Sequence, residues 1–353
     1  MISKKCIFCG NLPTDKNKEH VLPKWLLKLT GDEFRTVNLG YNWKTQQQIE
    51  FNISSFTFPA CVTCNSKFAE VESQVKVVVE KLLIDEYLNH EQINIFLDWL
   101  DKIRIGIWLA VNYLNKDHFQ IEPKFFINQR VGLKDRFLAI TNLYNNNKGL
   151  TWIGANSPCF IFSPTCLSLQ INNLLLLNVS YEFIVSEHLG FPFPKICQLQ
   201  PNNGMTDYLI GPASKKFNRR LFDTKISEPH IKIMQPIYKQ GKGILPEFYD
   251  NEYVKENSYD IENGIGKIFI EHDNLLYSME KDEEVNFSMK EKIKNGATVR
   301  IVEPTIELQM ELLNKYRTDT SLLSEEQRNN YYEVKKTLLN YSRDYLEIYK
   351  KEK

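Results

Sequence analysis

The sequence predicts an α+β fold in which a small N-terminal module precedes long helices, an antiparallel sheet and C-terminal helices. Two Cys-x-x-Cys pairs enclose a short, turn-rich stretch, and apolar residues recur at helical spacing after it. Short β-branched and aromatic runs, separated by Asn, Gly and Pro, fill the middle of the chain. At 353 residues the chain is long enough for two domains. We expect the first at residues 1–75 and the second, of unknown role, at residues 76–353.

The N-terminal module is defined by the pairs Cys6/Cys9 and Cys61/Cys64. Each Cys-x-x-Cys pair can direct two thiolates toward one ion, and together they supply four sulfur ligands. Tetrahedral coordination by four sulfurs selects zinc, and a site with four protein ligands is structural, because no position is left for a substrate. The spacing therefore predicts one structural zinc ion. The alternative is a redox pair, which needs only one such motif in a βαβ setting.

Two helices are predicted after the module. Residues 66–88 place Val71, Val75, Val78 and Leu82 at steps of three and four, and residues 91–114 show a similar apolar face. Two more are predicted at the end of the chain, over residues 304–317 and then after Ser324 as the N-cap.

The predicted antiparallel sheet consists of short runs in the middle of the chain. They are FFINQRV, RFLAITNLY, LTWIG, CFIFS, LSLQI and LLLLNVSYEFIV, and a later run, KIFIEH, is also typical of a strand. Three further cysteines, Cys159, Cys166 and Cys197, lie in or near this region without metal-ligand spacing. We assign them to packing or to free thiols.

Composition and charge restrict the function. Apolar residues make up 42% and charged residues 25%, as in ordinary globular proteins. Lys plus Arg and Asp plus Glu both number 44, so any site for a polyanion must be local. Residues 1–70 carry nine Lys or Arg against six Asp or Glu, a small positive bias. The sequence has neither a signal-peptide pattern nor an apolar run of about 18 residues, which predicts a cytoplasmic protein with no membrane partner.

Glu19 and His20 are adjacent and lie between the two cysteine pairs, and Asn65 follows the second pair. Phosphodiester hydrolysis needs a base, and an unperturbed His, with a pKa of about 6.5, can serve. It also needs a hard cation held by oxygen ligands, which Glu19 and Asn65 can supply. Because consecutive strand residues face opposite ways, Glu19 and His20 reach one phosphate only if the backbone bends there.

The order C-x-x-C, E-H-V-x-P-x-W-L and C-x-x-C-N resembles the zinc-containing branch of the HNH endonuclease superfamily over about residues 4–75. The resemblance implies a ββα-metal or treble-clef module. It implies that Glu19 binds the catalytic metal, that His20 is the general base and that Asn65 completes the metal site. Magnesium or manganese would be the working ion, and the substrate would be nucleic acid, DNA in preference to RNA.

The sequence departs from the family pattern at one position, and the candidate residues have alternative interpretations. The family's middle Asn precedes the second cysteine pair by about five residues, where this chain has Phe56; Asn38 or Asn52 are the candidates to replace it. His20 is alternatively a surface or capping histidine, and Asn65 a helix N-cap. Trp25 and Leu26 are expected to be the hydrophobic plug of the module.

Two other Glu-His pairs, Glu187-His188 and Glu271-His272, have no cysteines around them, and we expect both to be structural. The leading hypothesis is a metal-dependent nuclease, in restriction or anti-phage defence by resemblance. The alternative is a non-catalytic zinc module that binds nucleic acid or a protein. The C-terminal region is a candidate surface for a partner protein or for a homodimer.

Overall fold

The computed structural model describes residues 5–13, 15, 17–42, 45, 47–114, 123, 125–143, 148–191, 193–200, 206–214, 222, 231–238, 251–272, 275–288, 297–315 and 317–351. Helices and strands are mixed, as the predicted α+β class requires. The helices are α1 (Lys24–Leu29), α2 (Val62–Leu83), α3 (His90–Leu114), α4 (Pro158–Phe162), α5 (Ile184–Leu189), α6 (Asn251–Asn257), α7 (Ala297–Asn314) and α8 (Glu325–Lys351).

The strands are β1 (Asn17–His20), β2 (Thr36–Asn42), β3 (Gln47–Asn52), β4 (Thr57–Ala60), β5 (Tyr87–Asn89), β6 (Arg136–Asn142), β7 (Leu150–Ile153), β8 (Cys166–Ile171), β9 (Leu174–Ser180), β10 (Phe193–Gln200), β11 (Thr206–Ser214), β12 (Ile231–Gln235), β13 (Ser258–Asp260), β14 (Ile265–Gly266), β15 (Phe269–His272), β16 (Leu275–Ser278), β17 (Glu284–Asn286) and β18 (Arg317–Asp319).

The N-terminal module consists of a cysteine loop, two paired strands and a helix. The first cysteine pair lies in a tight loop, after which β1 pairs antiparallel with β4. The hairpin of β2 and β3 is inserted between these strands. Cys61 is the N-cap of α2, so the second cysteine pair lies at the start of that helix.

Helix α3 is the centre of the molecule. It is buried on almost every side, packing on α2 and β5 and on α4 and β9. One apolar cluster runs from the module through α3 to one face of the main sheet. The boundary predicted after residue 75 falls inside α2. The division into two folding units stays a prediction.

The main sheet is antiparallel throughout. Within the described ranges it has seven strands in the order β16-β15-β12-β6-β9-β8-β7. Alternate residues face opposite ways, so Leu138 of β6 joins the cluster around α3, whereas Phe137 joins a second cluster that includes Leu308 of α7. The sheet therefore lies between α3 and α7, and the predicted antiparallel sheet is confirmed.

Two of the predicted strands are wrong, and a third run, LLLLNVSYEFIV, is a strand only as far as Ser180 and enters helix α5 at Ile184. FFINQRV contains a short 3-10 turn, Ile127–Gln129, and CFIFS contributes to helix α4. Pro158 occupies the first turn of α4 after Ser157 as N-cap, a position where its fixed φ suits a helix. Short apolar runs are compatible with either a strand or a buried helix. For CFIFS, the preceding proline is the signal that favours the helix.

The helix bounds differ from the predicted ones only at the ends. Helix α2 begins earlier than predicted and ends before Asp85, whose φ of 58° is left-handed. Helix α7 begins before residue 304 and contains Pro304. The predicted N-cap of α8 is confirmed: the Gln327 amide donates to Ser324 Oγ at 3.2 Å and the Ser324 amide donates to Gln327 Oε1 at 3.0 Å. Among the described helices, none is both long and apolar enough to cross a bilayer.

Candidate functional site

The four cysteines of the two pairs come together, as their spacing predicts. The sulfur atoms of Cys6, Cys9, Cys61 and Cys64 all lie within 4.8 Å of one another. A tetrahedral zinc ion with bonds of about 2.3 Å to sulfur places its ligands about 3.8 Å apart. The Cys9 and Cys61 sulfurs are 3.8 Å apart, so the cluster fits a closed zinc site.

Backbone geometry positions the sulfurs. The Gly10 amide donates to the Cys6 carbonyl at 2.8 Å and closes the first loop, and Gly10 has a left-handed φ of 78°. A Cβ at Gly10 would lie 2.4 Å from the Phe126 ring, so only glycine fits. The Cys61 amide donates to Cys6 Sγ at 3.2 Å, a hydrogen bond that supports a thiolate ligand.

The first cysteine loop also binds a distant part of the backbone. The Ile127 amide donates to the Ile7 carbonyl at 3.2 Å, and the Asn128 amide donates to the Phe8 carbonyl at 2.9 Å. Phe8 is itself buried and stacks on Phe68 of α2 with ring centroids 4.5 Å apart. The loop is thus held from two sides.

The thiols affect one another's ionisation. Desolvation, together with the neighbouring sulfurs, raises the pKa of Cys61 to about 12 and that of Cys64 to about 11. Burial also acts to raise the pKa of Cys6, but hydrogen bonds from the Cys61 and Cys9 backbone outweigh it and lower that pKa. Four thiolates in one place need a cation, because their charges repel without one.

Glu19 lies on the inner face of β1 and is 7% exposed. Its Oε1 is 2.7 Å from Nζ of Lys102, an α3 residue whose side chain is 1% exposed. The same Nζ is 2.6 Å from Oε1 of Glu72 on α2. Lys102 also donates to the carbonyls of His20 and Val21, both at 3.3 Å. The ammonium group therefore links the first strand of the module to both long helices.

Sequence reasoning missed Lys102 and Glu72. Burial raises the pKa of Glu72, although Lys102 acts against it. Burial would lower the pKa of Lys102, but Glu72 and Glu19 reverse this effect and raise it. The sequence did contain a signal for this ion pair, since Lys102 lies inside a helix that is apolar on nearly every face. A charge buried in such a helix needs a partner of opposite charge.

His20 faces away from Glu19. The pairing of β1 with β4 is regular, with Glu19 opposite Phe58 and His20 opposite Thr57, so the backbone has no bulge at this point. His20 is half-buried. The structure thus places the two adjacent candidate residues on opposite faces of one strand.

The His20 ring is oriented by the backbone. Its Nε2 lies 3.1 Å from the Ser54 carbonyl. Because a carbonyl only accepts, Nε2 carries the proton, and Nδ1 of a neutral ring is the free base. Burial, and then the charges of Lys24 and Lys102, lower the pKa of His20, although the Ser54 carbonyl and Glu72 act in the opposite direction. The ring is therefore neutral at pH 7.

Asn52 organises the turn that carries the Ser54 carbonyl. Its Oδ1 accepts from the Ser54 amide at 2.9 Å and from Ser54 Oγ at 2.6 Å, and its Nδ2 donates to the Phe34 carbonyl at 2.8 Å. Asn52 therefore acts on His20 through Ser54. Asn38 lies in β2 opposite Glu50, and Phe56 is a buried core residue.

Asn65 lies in the first turn of α2, where its amide donates to the Cys61 carbonyl at 2.9 Å. The N-cap of this helix is Cys61, so the alternative that Asn65 is the N-cap is wrong. Asn65 and Glu72 are seven residues apart and share a face of α2, about 10 Å apart along its axis. Among the described residues, no hydrogen bond joins Asn65 to Glu19 or His20. The shared role of the three residues therefore stays a prediction.

The residues predicted to be structural agree with the structure where it describes them. Glu187 forms an ion pair with Lys315, and Glu271 pairs with Lys232 at 3.0 Å. Leu26, Cys159 and Cys166 are buried, and the partly buried Trp25 packs near Trp99 with ring centroids 6.0 Å apart. The side chain of Cys197 lies outside the described part of the chain.

Comparison of the chain with protein-family models, with curated proteins and with solved structures gives no match. The geometry of the site therefore carries the functional argument.

Proposed function

We propose that the chain is a metal-dependent endonuclease of the HNH type, hydrolysing phosphodiester bonds in DNA in preference to RNA. One observation carries the proposal: the half-buried His20, whose ring is oriented by a backbone carbonyl and whose pKa is lowered by burial, lies in a module organised by four clustered cysteines. The order of a cysteine loop, two antiparallel strands and a helix that starts at the second cysteine pair supports a treble-clef module.

In this proposal His20 is the general base. Its Nδ1 takes a proton from the attacking water while Nε2 stays bound to the Ser54 carbonyl, which keeps the ring in one orientation. Asn52 is a positioning residue, since it holds Ser54. The clustered cysteines bind zinc and keep the start of α2 next to β1, and this ion has a structural role only.

The working ion of the proposal is magnesium or manganese, which neutralises charge on the phosphate and on the departing oxygen. Glu19 and Asn65 are its proposed ligands. Lys102 pairs with Glu19 Oε1, so Glu19 would hold the ion through its other carboxylate oxygen. Because Glu19 and His20 face opposite ways, both contact one substrate only if the strand end twists or the substrate spans its edge.

A second candidate function is a non-catalytic zinc module that binds nucleic acid or a protein. The observation that favours it is the buried ion pair of Glu19 with Lys102, which gives the carboxylate a structural partner. In this case His20 is a surface histidine that closes the Ser54 turn.

The test is plasmid nicking with magnesium or manganese. We expect the wild type to cut, and His20→Ala to be about 10²- to 10⁴-fold slower, the usual effect of losing a general base. His272→Ala is the matched control, because His272 also follows a glutamate in a strand, and it should cut like the wild type. Equal activity of the wild type and His20→Ala, or no activity with any metal, supports the binding module instead.

Two broader roles are part of the proposal. A role in restriction or anti-phage defence rests on the resemblance alone. A partner protein or a second copy of the chain would dock on the C-terminal region, where Tyr341 and Ile348 of α8 are 56% and 58% exposed. Light scattering of the purified protein tests the homodimer.

A further inference from the structure

A small pocket that opens to solvent lies on the sheet side of α3. It is formed by α3, by the segment before β6, by the loop between α4 and β8 and by the end of β9. The polar side chains that line it are Arg104, Arg130, Lys134, Ser163, Thr165 and Ser180. Arg104 is two residues from Lys102, which on a helix is a rotation of about 200°. The pocket and the Glu19 carboxylate are therefore on opposite sides of α3.

Arg104 forms the buried wall of the pocket, and it is 2% exposed. Its Nε donates to the Pro164 carbonyl at 2.9 Å, Nη2 donates to Asp101 at 2.7 Å, and Nη1 donates to Asn178. A guanidinium has five N–H donors, so three have partners and two are left within the described structure. These partners fix the plane of the group, so its remaining donors have defined directions.

Arg130 is the second cation of the pocket. Its guanidinium carbon lies 3.8 Å from the centre of the Phe125 ring, which holds the side chain by a cation–π contact. No described residue accepts a hydrogen bond from this guanidinium. Burial lowers the pKa of Arg130 to about 10, so the group is still charged at pH 7. A half-buried guanidinium with unused donors is a binding group for an oxyanion.

Three residues that carry hydroxyl groups line the same pocket. Thr165 and Ser180 are 7% and 6% exposed, and Ser163 is half-buried. Their backbones are paired, as shown by the Ser180 amide, which donates to the Thr165 carbonyl at 2.9 Å. Within the described part of the chain, the three hydroxyls have no hydrogen-bond partner. Hydroxyl groups without protein partners can donate to a ligand bound in the pocket.

The pocket has one positively charged side chain, Arg130, that forms no ion pair with a described residue. Lys134 pairs with Glu182 at 2.8 Å, and Arg104 pairs with Asp101. Glu182 raises the pKa of Arg130 through space but does not form an ion pair with it. The arrangement therefore favours a ligand with negative charge.

We propose that this pocket binds a tetrahedral oxyanion of the phosphate class, such as inorganic phosphate or the phosphate group of a nucleotide. The donors come from several segments of the chain, so they can contact several oxygens of one tetrahedral group. Arg104 and Arg130 supply charged donors, and the three hydroxyls bind the remaining oxygens. The site does not depend on the proposed nuclease activity.

The test is isothermal titration calorimetry of the full chain with inorganic phosphate at constant ionic strength. We expect saturable binding by the wild type, binding at least about tenfold weaker for Arg130→Gln, and a smaller loss for Thr165→Val, which removes a hydroxyl at constant volume. Arg343→Gln, an exposed arginine on α8, is the matched control and should bind like the wild type.

Phosphate binding that is equal in the wild type, Arg130→Gln and Thr165→Val overturns the proposal, as does the absence of binding by the wild type. Thr165→Val keeps the test valid if Arg130→Gln fails to fold. A second titration, with adenosine monophosphate, distinguishes the sources. Tighter binding of the nucleotide than of phosphate indicates a nucleotide ligand, and equal or weaker binding indicates the free ion; either result supports the pocket.

Discussion

Nζ of Lys102 lies 2.7 Å from Oε1 of Glu19, and this contact joins the central helix to the first strand of the cysteine module. Both side chains are almost fully buried, and Glu72 provides a second carboxylate to the same ammonium group. One cation thus serves two anions inside the protein. Removing a partner from such a group leaves uncompensated buried charge, which is far more costly than losing a surface pair.

We expect Lys102→Met to lower the free energy of unfolding by about 3 to 5 kcal/mol, because it leaves the buried Glu19 and the partly buried Glu72 carboxylates without their cation. Urea unfolding measures the change. The matched control is Lys76→Met, since Lys76 forms an exposed pair with Glu80 at 3.8 Å on α2, the helix that also carries Glu72. It should change stability by no more than about 0.5 kcal/mol.

A further variant separates charge from packing. Adding Glu19→Gln and Glu72→Gln to Lys102→Met removes the unpaired charges, so it should recover part of the lost stability. A Lys102→Met protein as stable as the Lys76→Met control would contradict the buried ion pair.

We expect about one zinc ion per chain by elemental analysis, and less in Cys64→Ser, which removes one of four sulfur ligands. Because the pKa values of Cys61 and Cys64 are raised to about 12 and 11, these thiols hold their protons at neutral pH, and zinc must displace them. Zinc affinity should therefore fall as the pH falls, and competition with a zinc indicator between about pH 6 and 8 measures it. Cys159→Ala, in a buried site away from the cluster, should keep its zinc. A zinc-free chain that retains the fold of the module would count against the site.

The pH dependence of His20 follows from its lowered pKa. The neutral ring is the base, so cleavage should decline only as the pH falls through a value below 6.5. Removing a nearby positive charge with Lys24→Gln should raise this pKa and move the acid limb to higher pH. Lys18→Gln, an exposed lysine on β1, is the control and should leave it in place. NMR titration of the His20 ring measures the pKa even without activity, and an unchanged pKa in Lys24→Gln would contradict the electrostatic account.

We expect Asn52→Ala to slow cleavage about tenfold while zinc content stays the same, because the Ser54 carbonyl loses its support and His20 its orientation. The cost in stability should be about 1 kcal/mol, as for other side chains that accept from a turn amide. Asn286→Ala is the matched control, because Asn286 accepts from the Ser288 amide at 2.7 Å in an equivalent exposed turn. Equal cleavage rates in the two variants would show that Asn52 has no role in positioning the base.

Local patterns in the sequence predicted much of the fold. The helix predicted at 91–114 is His90–Leu114, and the cysteine spacing predicted the cluster, because both depend on residues close in the chain or on ligand chemistry. The strand predicted at CFIFS failed, since a short apolar run is compatible with a buried helix as well.

The candidate site was less predictable for a physical reason. Glu19 was expected to bind a metal, and the chain instead brings Lys102, 83 residues away, onto its Oε1. Such pairing depends on how α3 packs, which no local pattern encodes. Asn52 lies 32 positions after His20, and only the observed turn through Ser54 identifies it as the supporting residue among the two Asn candidates.

The contact between the first cysteine loop and residues 127–128 has a practical consequence for engineering. Two carbonyls of that loop, at Ile7 and Phe8, are bound by amides about 120 residues further along, and Phe126 covers Gly10. The first cysteine loop therefore cannot be moved to another protein on its own. A fragment that ends at residue 75 would carry two carbonyls without their amide donors and a glycine turn without the Phe126 ring over it. A successful transfer to another protein must therefore include residues 126–128.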